Sequence, residues 1–462
     1  MKLLKIHPLD NVAVDTDSGF KVAQKSIRAG ESIIKYGMPI GHATKNISQN
    51  ARVHTDNMAT SLSERAEYTF RGPAAVKPAI ETTDTFMGYI RKDGSVGTRN
   101  ELWIIPTVGC VNKIAEKLAS ECGAFAFTHP FGCSQLGDDH RTTQYVLRGL
   151  ILNPNAGGVL VLGLGCENNT MESFKALLKD ADPERVRYLV CQDAEDEIAE
   201  GKKRIHELRA RMERDQRVPC PVSALRVGLK CGGSDGYSGI TANPLVGRFS
   251  DRLTACGGGA VLTEVPEMFG AETLLMDRAA SREVFDATVS LINRYKDYFL
   301  RHGQTVYENP SPGNKAGGIS TLEDKSMGCT QKSGSSPVMG ILGYGNRIRS
   351  GGLWLLEGPG NDMVAVTNLA AAGCNIILFT TGRGTPLGAP IPTVKIASNA
   401  VLAQRKKNWI DFDASPALEQ EKIRALDKAF YRFVLDVASG RETRNEINGC
   451  REISIFKDGV TL

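Results

Sequence analysis

The sequence predicts an α/β protein in which a small N-terminal β module precedes larger domains built on parallel sheets. Residues 1–60 alternate short β-like runs with glycine-containing turns. After Phe86, continuous apolar runs of strand length alternate with helical patterns, as in parallel sheets that are buried on both faces. At 462 residues the chain is also too long for a single core, so we expect two or three domains.

The N-terminal module is predicted from runs that end at turns. Its β-like segments are 3–6, 32–36 and 51–54, and its turn glycines are Gly30, Gly37 and Gly41. Residues 61–85 are polar, contain Pro73 and Pro78 and show little periodicity, which predicts a linker.

Beyond the linker we expect a middle α/β domain over 86–222 and a C-terminal α/β domain over 223–462. The predicted strands are 103–109, 124–128, 158–164, 187–191, 225–230, 260–265, 353–357 and 375–381. The predicted helices are 111–120, 171–179, 193–214, 281–301, 363–372 and 416–438.

Composition and charge exclude several classes of partner. The formal charge is only +4, with 56 basic residues interleaved with 52 acidic ones, so the sequence gives no support to a nucleic-acid partner. The densest basic run, 202–214, contains glutamates and is typical of a solvated helix face. No segment approaches the ~20 apolar residues of a membrane helix, and the N-terminus lacks the features of a signal peptide. Eleven cysteines without an export signal indicate reduced thiols, and we expect a cytoplasmic protein.

Several predicted strands end at a cysteine that has an adjacent glycine. These cysteines are Cys110, Cys133, Cys166 and Cys231. Ligands of open parallel sheets bind beyond the carboxyl ends of the strands, so these thiols are candidate metal ligands. The alternative is that each is a small buried apolar residue. Cys122, Cys191, Cys220, Cys256 and Cys450 lack this context and are interpreted as structural.

The segment 131–140 brings Cys133, Asp138, Asp139 and His140 close together in sequence. Thiolate, carboxylate and imidazole together suit iron or manganese. A helix cap followed by a surface histidine is the alternative.

Two glycine-rich segments suit an anionic substrate. Residues 309–318 contain Asn314 and Lys315 and precede Lys325, and residues 380–386 place Arg383 between glycines after a strand. Arginine binds a carboxylate through two hydrogen bonds. The phosphate-loop pattern is absent and 163–166 matches only half of the dinucleotide fingerprint, which argues against a nicotinamide oxidoreductase.

Taken together, a set of segments resembles the altronate/galactarate dehydratase family, which includes sulfolactate sulfo-lyase. The segments are 99–110, 131–140, 163–169, 229–243, 262–272, 307–332, 380–386 and 454–462, so that the similarity extends over nearly the whole chain. The resemblance implies an N-terminal SAF-type β-clip module, a linker and two further domains, of which the last is a Rossmann-like variant. It also implies dehydration of D-altronate to 2-dehydro-3-deoxy-D-gluconate in hexuronate breakdown, with Fe²⁺ or Mn²⁺, in a homodimer. Where the family carries His-x-His-Asn, residues 54–57 are His54-Thr55-Asp56-Asn57, so that Asp56 is a candidate replacement ligand or base.

Dehydration of a sugar acid requires removal of a proton next to a carboxylate and loss of a hydroxyl group. We assign metal contact to some of Cys110, Cys133, Cys166 and Cys231, and acid–base roles to His54 and His140, with Glu264 as the second choice of base. A metal with Arg383 or Lys315 would neutralise the substrate carboxylate. Mononuclear iron and an iron–sulfur cluster both remain open, as do a galactarate dehydratase and a non-catalytic sugar-acid-binding protein.

Overall fold

The computed structural model describes residues 2–62, 66–75 and 79–462. The N-terminal module contains strands β1 (Leu3–Leu4), β2 (Val12–Asp15), β3 (Lys21–Ala23), β4 (Ser32–Lys35), β5 (Met38–Ala43), β6 (Arg52–Val53) and β7 (Met58–Ala59). They form two antiparallel sheets with the orders β1-β2-β3-β6 and β4-β5-β7. Ala271 and Met327 of the C-terminal domain complete its apolar core. The module therefore shares part of its core with the rest of the chain.

The segment predicted as a linker lies along the C-terminal domain. The amide of Ala74 donates to the carbonyl of Ala279 (2.9 Å), and the Tyr68 hydroxyl donates to Glu272 (2.6 Å). Residues 63–65 and 76–78, Pro78 among them, lie outside the described residues. The chain then enters β8 (Thr85–Ile90), which lies between β14 (Val218–Pro221) and β9 (Val96–Gly97) in an antiparallel sheet.

The middle domain is a parallel sheet flanked by helices. Its strands are β10 (Glu101–Pro106), β11 (Phe125–Ala126), β12 (Ala156–Gly163) and β13 (Val186–Val190), in the order β11-β10-β12-β13. Its helices are α1 (Asn112–Cys122), α2 (Gly137–Ile151), α3 (Met171–Ala176) and α4 (Glu197–Met212). Every residue of β12 is buried, which explains its uninterrupted apolar sequence.

The C-terminal domain is built on a seven-stranded parallel sheet with the order β17-β18-β16-β15-β19-β20-β21. These strands are β15 (Arg226–Cys231), β16 (Gly259–Leu262), β17 (Val338–Leu342), β18 (Gly352–Leu356), β19 (Ile376–Thr381), β20 (Thr393–Ala397) and β21 (Phe412–Asp413). The helices are α5 (Ala242–Ala255), α6 (Glu272–Met276), α7 (Arg282–Arg301), α8 (Pro312–Ala316), α9 (Leu322–Thr330), α10 (Asp362–Ala371), α11 (Ala400–Arg405), α12 (Ile423–Ala438) and α13 (Arg444–Ile447).

The strand order locates the place where a ligand is expected. From β15 the chain first adds β16 and β18 on one side and later returns to add β19 and β20 on the other. Such a reversal leaves a crevice beyond the carboxyl end of the central strand. Cys231 is the last residue of β15, so the crevice opens at this thiol.

The predicted α/β class is confirmed, and each predicted strand and helix has an observed counterpart. The last predicted helix begins at Ile423 because residues 415–422 form two short 3-10 turns. Helices α2, α5 and α9 and strands β17 and β20 are not in the predicted set. Helix α9 is missed because its sequence is polar although all its residues are buried, which leaves no amphipathic pattern. In the described part of the chain, no helix is long and apolar enough to cross a membrane.

Candidate active site

A cavity of about 930 Å³ lies beyond the carboxyl end of β15. Its wall includes Gly233 after β15, Glu267 after β16, Lys325 of α9 and Asp362 at the start of α10. The chemistry-bearing side chains thus come from separate elements that meet at the reversal of the strand order.

Three potential metal ligands meet at this wall, with Glu267 lining the cavity and two cysteines behind it. The Sγ of Cys231 lies 3.2 Å from the Sγ of Cys329 and 3.1 Å from Oε2 of Glu267. Cys329 Sγ lies 3.2 Å from the same carboxylate oxygen. All three side chains are buried, and among the described residues they form the set whose ligand atoms lie within 4.8 Å of one another. Two thiolates and a carboxylate suit a borderline divalent metal.

Lysines surround this set and balance its negative charge. Lys332 places Nζ 2.8 Å from the Sγ of Cys231, and Lys325 places Nζ 2.8 Å from Oε1 of Glu267. Both lysines are buried. Buried charges are stable only when they are paired, so the cluster is an interdependent unit.

The lysines alter the acidity of the ligands. Burial alone would raise the pKa of Glu267, but Lys325, Lys230 and Lys332 hold it well below its usual range. A hydrogen bond from Cys329 and the nearby Lys332 lower the pKa of Cys231 to about 6 despite its burial. The site therefore favours one ionised thiol and one ionised carboxylate at neutral pH, the forms that bind a metal.

Lys230 connects two further carboxylates to the site. Its Nζ contacts Glu264 and lies 2.6 Å from Oδ1 of Asp362, while Glu264 accepts the amide of Cys231 at 3.2 Å. Glu264 has a φ of 72°, a left-handed conformation, and burial together with Glu267 raises its pKa well above the usual range. Asp362 faces the cavity, whereas Glu264 lies behind it.

Several predicted site residues lie in or beside this crevice. Asn314 lines the cavity and donates to the carbonyl of Ser234 at 2.8 Å, and Lys325 lies 3.3 Å from its Oδ1. Lys315 is the next residue of α8 and is half-buried. Arg383 is exposed, and its amide donates to the carbonyl of Gly233 at 2.9 Å. Glu264 and Cys231 belong to the buried cluster described above.

The other predicted residues lie elsewhere. His54, on the N-terminal module, places Nδ1 3.0 Å from the Ser320 hydroxyl just before α9, and burial together with Lys21 and Arg52 lowers its pKa. Asp56 is exposed and pairs with Lys45 at 3.3 Å. His140 lies in the first turn of α2, where its Nδ1 is buried with no hydrogen-bond partner among the described residues, and burial lowers its pKa. Among the described residues that line the cavity there is neither His54 nor His140.

Cys110, Cys133 and Cys166 lie at the carboxyl end of the middle sheet, apart from Cys231 in the C-terminal sheet. The structure therefore separates the predicted metal ligands into two places. Cys191 and Cys220, interpreted as structural, are half-buried and buried, respectively.

Sequence reasoning selected Lys325 but not Cys329, Glu267, Lys230 or Lys332 as site residues. Cys329 does not follow a predicted strand. It lies inside the buried helix α9, directly after Gly328, so it lacks the strand-end pattern that was used to select cysteines. The available signal was the spacing of Lys325 and Cys329, which places both on one helix face.

Sequence comparison assigns the chain to a family of sugar-acid dehydratases. The Altronate/galactarate dehydratase SAF domain matches residues 12–61. The D-galactarate dehydratase/Altronate hydrolase second domain matches 88–213, and the D-galactarate/Altronate dehydratase C-terminal family matches 222–461. The chain therefore belongs to the altronate/galactarate dehydratase family, which confirms the resemblance and the SAF-type N-terminal module.

Similar proteins extend over nearly the full length of the chain. Altronate dehydratase of Escherichia coli (strain K12) is 49% identical, with 100% of each chain covered. Altronate dehydratase of Bacillus subtilis (strain 168) is 52% identical over 97% of this chain and 93% of that protein. Galactarate dehydratase (L-threo-forming) of Escherichia coli (strain K12) is 34% identical over 95% of this chain and 93% of that protein.

Proposed function

We propose that this protein dehydrates D-altronate to 2-dehydro-3-deoxy-D-gluconate in hexuronate catabolism. The observation that carries the proposal is the 49% and 52% identity to altronate dehydratases over nearly the whole chain. In this reaction the proton on C2 and the hydroxyl group on C3 leave together as water, and the resulting enol tautomerises to the 2-keto acid. Galactarate is the second candidate substrate, supported by the 34% identical relative.

Cys231, Glu267 and Cys329 are the residues that would hold the metal. Their ligand atoms lie within 4.8 Å of one another, and the lowered pKa values of Cys231 and Glu267 favour the ligating forms. Thiolates suit Fe²⁺ better than Mn²⁺, which prefers oxygen ligands, so we propose Fe²⁺. A bound divalent ion supplies Lewis-acid stabilisation of negative charge on the substrate.

The cavity wall provides groups for the substrate carboxylate. Lys325 presents an ammonium group beside the amide of Asn314, and the two side chains lie 3.3 Å apart. Lys315 and Arg383, which lies next to Gly233 of the wall, are the candidates for the distal hydroxyl groups. A cation beside the carboxylate lowers the barrier to proton removal, because negative charge accumulates there as the proton leaves.

Asp362 is the proposed acceptor of the C2 proton. It lines the cavity, and Lys230 holds its Oδ1 at 2.6 Å. Glu264 contacts the other side of Lys230 and acts as a positioning residue, since it is buried behind the wall.

Asp362→Asn should reduce kcat to background, whereas Glu264→Gln should reduce kcat less. His54 and His140 remain the alternative acid–base pair, and retained turnover in the variant carrying His54→Ala and His140→Ala would exclude them.

A substrate panel tests the reaction. Reduced, Fe²⁺-loaded protein is incubated with altronate, galactarate and other aldonic and aldaric acids, and the 2-keto acid product is measured. Altronate should give the highest kcat/KM. A higher value for galactarate would reassign the substrate, and ligand binding without any 2-keto acid would make the protein a sugar-acid-binding protein. NAD binding, measured in parallel, would support an oxidoreductase instead.

The metal ligands are tested by binding in the absence of sulfide. Cys329→Ser should weaken Fe²⁺ binding by at least about tenfold, because a hydroxyl group replaces a sulfur ligand that can release its proton to the metal. Cys256→Ser, at a half-buried cysteine interpreted as structural, is the matched control. Equal affinity in the two variants would contradict this assignment.

We also propose a homodimer in the cytoplasm. The mass measured by light scattering after size-exclusion chromatography tests the dimer, and fractionation of cells expressing the tagged chain tests the location.

A further inference from the structure

Three cysteines outside the proposed active site have exposed side chains. Of the eleven cysteines, Cys110, Cys133 and Cys166 are exposed, whereas the others are half-buried or buried. Cysteine is among the residue types most often buried, and exposed thiols are commonly reactive or bind metals. Cys110 follows β10, Cys133 lies between β11 and α2, and Cys166 follows β12. Because β10 is paired in parallel with both β11 and β12, the three thiols lie at the carboxyl end of the middle sheet.

Hydrogen bonds join the three loops close to their cysteines. The amide of Gly109 donates to the carbonyl of Phe131 at 2.8 Å. The amide of Asn169 donates to the carbonyl of Gly132 at 3.0 Å, and the amide of Ser134 donates to Oδ1 of Asn168 at 2.8 Å. Each loop is therefore bonded to another within three residues of its cysteine.

The loops approach one another more closely than a side chain allows. A Cβ on Gly132 would lie 2.0 Å from the carbonyl oxygen of Thr107, and Gly132 has a φ of +101°. A Cβ on Gly109 would lie 2.9 Å from the carbonyl oxygen of His129. The glycines before Cys110 and Cys133 thus allow the close approach of their two loops.

A buried carboxylate fixes the loop that carries Cys166. Glu167 accepts the amide of Gly165 at 2.6 Å and the hydroxyl of Thr107, at the end of β10, at 2.8 Å. It ties the β12 loop to the β10 loop while Cys166 stays exposed. The three thiols are therefore presented by loops that hydrogen bonds tie to one another.

The spacing of the thiols distinguishes between types of metal site. Three sulfurs on a single ion lie about 3.8 Å apart, given metal–sulfur bonds of about 2.3 Å in tetrahedral geometry. Among the described residues, the three exposed thiols do not form a set within 4.8 Å, unlike Cys231, Glu267 and Cys329. A four-iron, four-sulfide cluster binds each thiolate on a different iron and so accepts a wider spacing.

We propose that Cys110, Cys133 and Cys166 bind an iron–sulfur cluster at the carboxyl end of the middle sheet, separate from the site of Cys231. Each thiol loses its proton on binding iron, and the ferrous ions, the ferric ions and the bridging sulfide are all supplied from outside the protein. The proposal does not depend on the substrate or on the reaction proposed above.

Anaerobic reconstitution of the full-length protein with Fe²⁺, Fe³⁺ and sulfide tests this site. The measurements are iron and acid-labile sulfide per chain and the visible charge-transfer absorption. Wild type should take up both iron and sulfide and show the band. Cys110→Ser, Cys133→Ser and Cys166→Ser should each reduce labile sulfide and the band to background. Cys231→Ser and Cys256→Ser should keep the labile sulfide and the absorption band at the wild-type level.

Labelling provides a readout that does not require the variants to fold. The three exposed thiols should react with iodoacetamide in the apo protein and be protected after reconstitution, as peptide mass spectrometry would show. Circular dichroism identifies any variant that has lost its fold. The proposal is overturned if wild type takes up no labile sulfide, if the thiols bind iron or zinc without sulfide, or if Cys231→Ser removes the cluster while Cys110→Ser retains it.

Discussion

The buried imidazole of His129 shows how one residue couples the fold to pH. Its Nε2 lies 2.9 Å from the carbonyl oxygen of Pro106, and its Nδ1 accepts the amide of Phe131 at 3.2 Å. With one nitrogen donating and the other accepting, the ring is neutral in the folded protein. Burial lowers its pKa from 6.5 to about 4.

Stability should therefore fall on acidification. Above the unfolded pKa of 6.5 the ring is neutral in both states; between 6.5 and about 4 only the unfolded chain binds the proton. The free energy of unfolding should drop by ~1.4 kcal/mol per pH unit, or about 3 kcal/mol over this range. Urea denaturation of wild type and His129→Gln at a series of pH values measures this, and the variant should show the smaller slope. The control is a comparison of the two proteins at about pH 7.5, where the ring is neutral in both states. Equal slopes of the free energy of unfolding against pH below 6.5 would contradict the prediction.

At the scale of the element, helix α9 joins the N-terminal module to the cavity. Asp324 points to the module, where its carboxylate binds Lys21 at 2.6 Å and Lys35 at 3.0 Å. The next residue, Lys325, contacts Glu267 in the active site. The same short helix therefore docks the module and places the groups that face the substrate.

Asp324→Asn should destabilise this docking strongly. The change leaves two buried ammonium groups without their carboxylate, a type of loss that costs about 3–5 kcal/mol. The unfolding free energy and the rate of proteolysis between the module and β8 measure the effect. Asp56→Asn is the matched control, because the side chains of Asp56 and Lys45 are 67% and 60% exposed, respectively. This variant should change the free energy of unfolding little. Equal effects of the two variants would show that the buried pair does not dock the module.

At the scale of the whole molecule, the middle and C-terminal domains share one apolar core. Trp103 and Val146 of the middle domain belong to the same buried cluster as Leu369 and Phe379 of the C-terminal domain. The side chain of Asn153 crosses between them and donates to the carbonyls of Ala370 (2.8 Å) and Cys374 (2.9 Å). The two sheets should therefore unfold together.

Gly149→Ala tests this coupling, because Gly149 of α2 packs closely against the end of α10. The added Cβ would lie 2.3 Å from the carbonyl oxygen of Ala371, so the backbone must shift, at a cost of about 1–3 kcal/mol. Single-tryptophan variants that retain Trp103 or Trp354 report the two domains separately, and both should lose stability equally. Gly313→Ala, where the nearest atom is 3.9 Å away, is the control. Separate transitions for the two tryptophans would refute a shared unfolding unit.

The sequence by itself determined the parallel sheets, the small β module and the family, because apolar strand runs, turn glycines and long motifs are local features. It also located Cys231, Asn314 and Lys325, which follow a strand end or lie in glycine-rich segments. It did not identify Cys329 or Glu267 as ligands, because their proximity depends on the reversal of the strand order around β15 and on a buried helix with no amphipathic pattern. Only the tertiary structure separated the strand-end cysteines into one buried thiol beside a cavity and three exposed thiols at another sheet. The physical reason is that contacts between residues a hundred positions apart are set by packing, which no local pattern records.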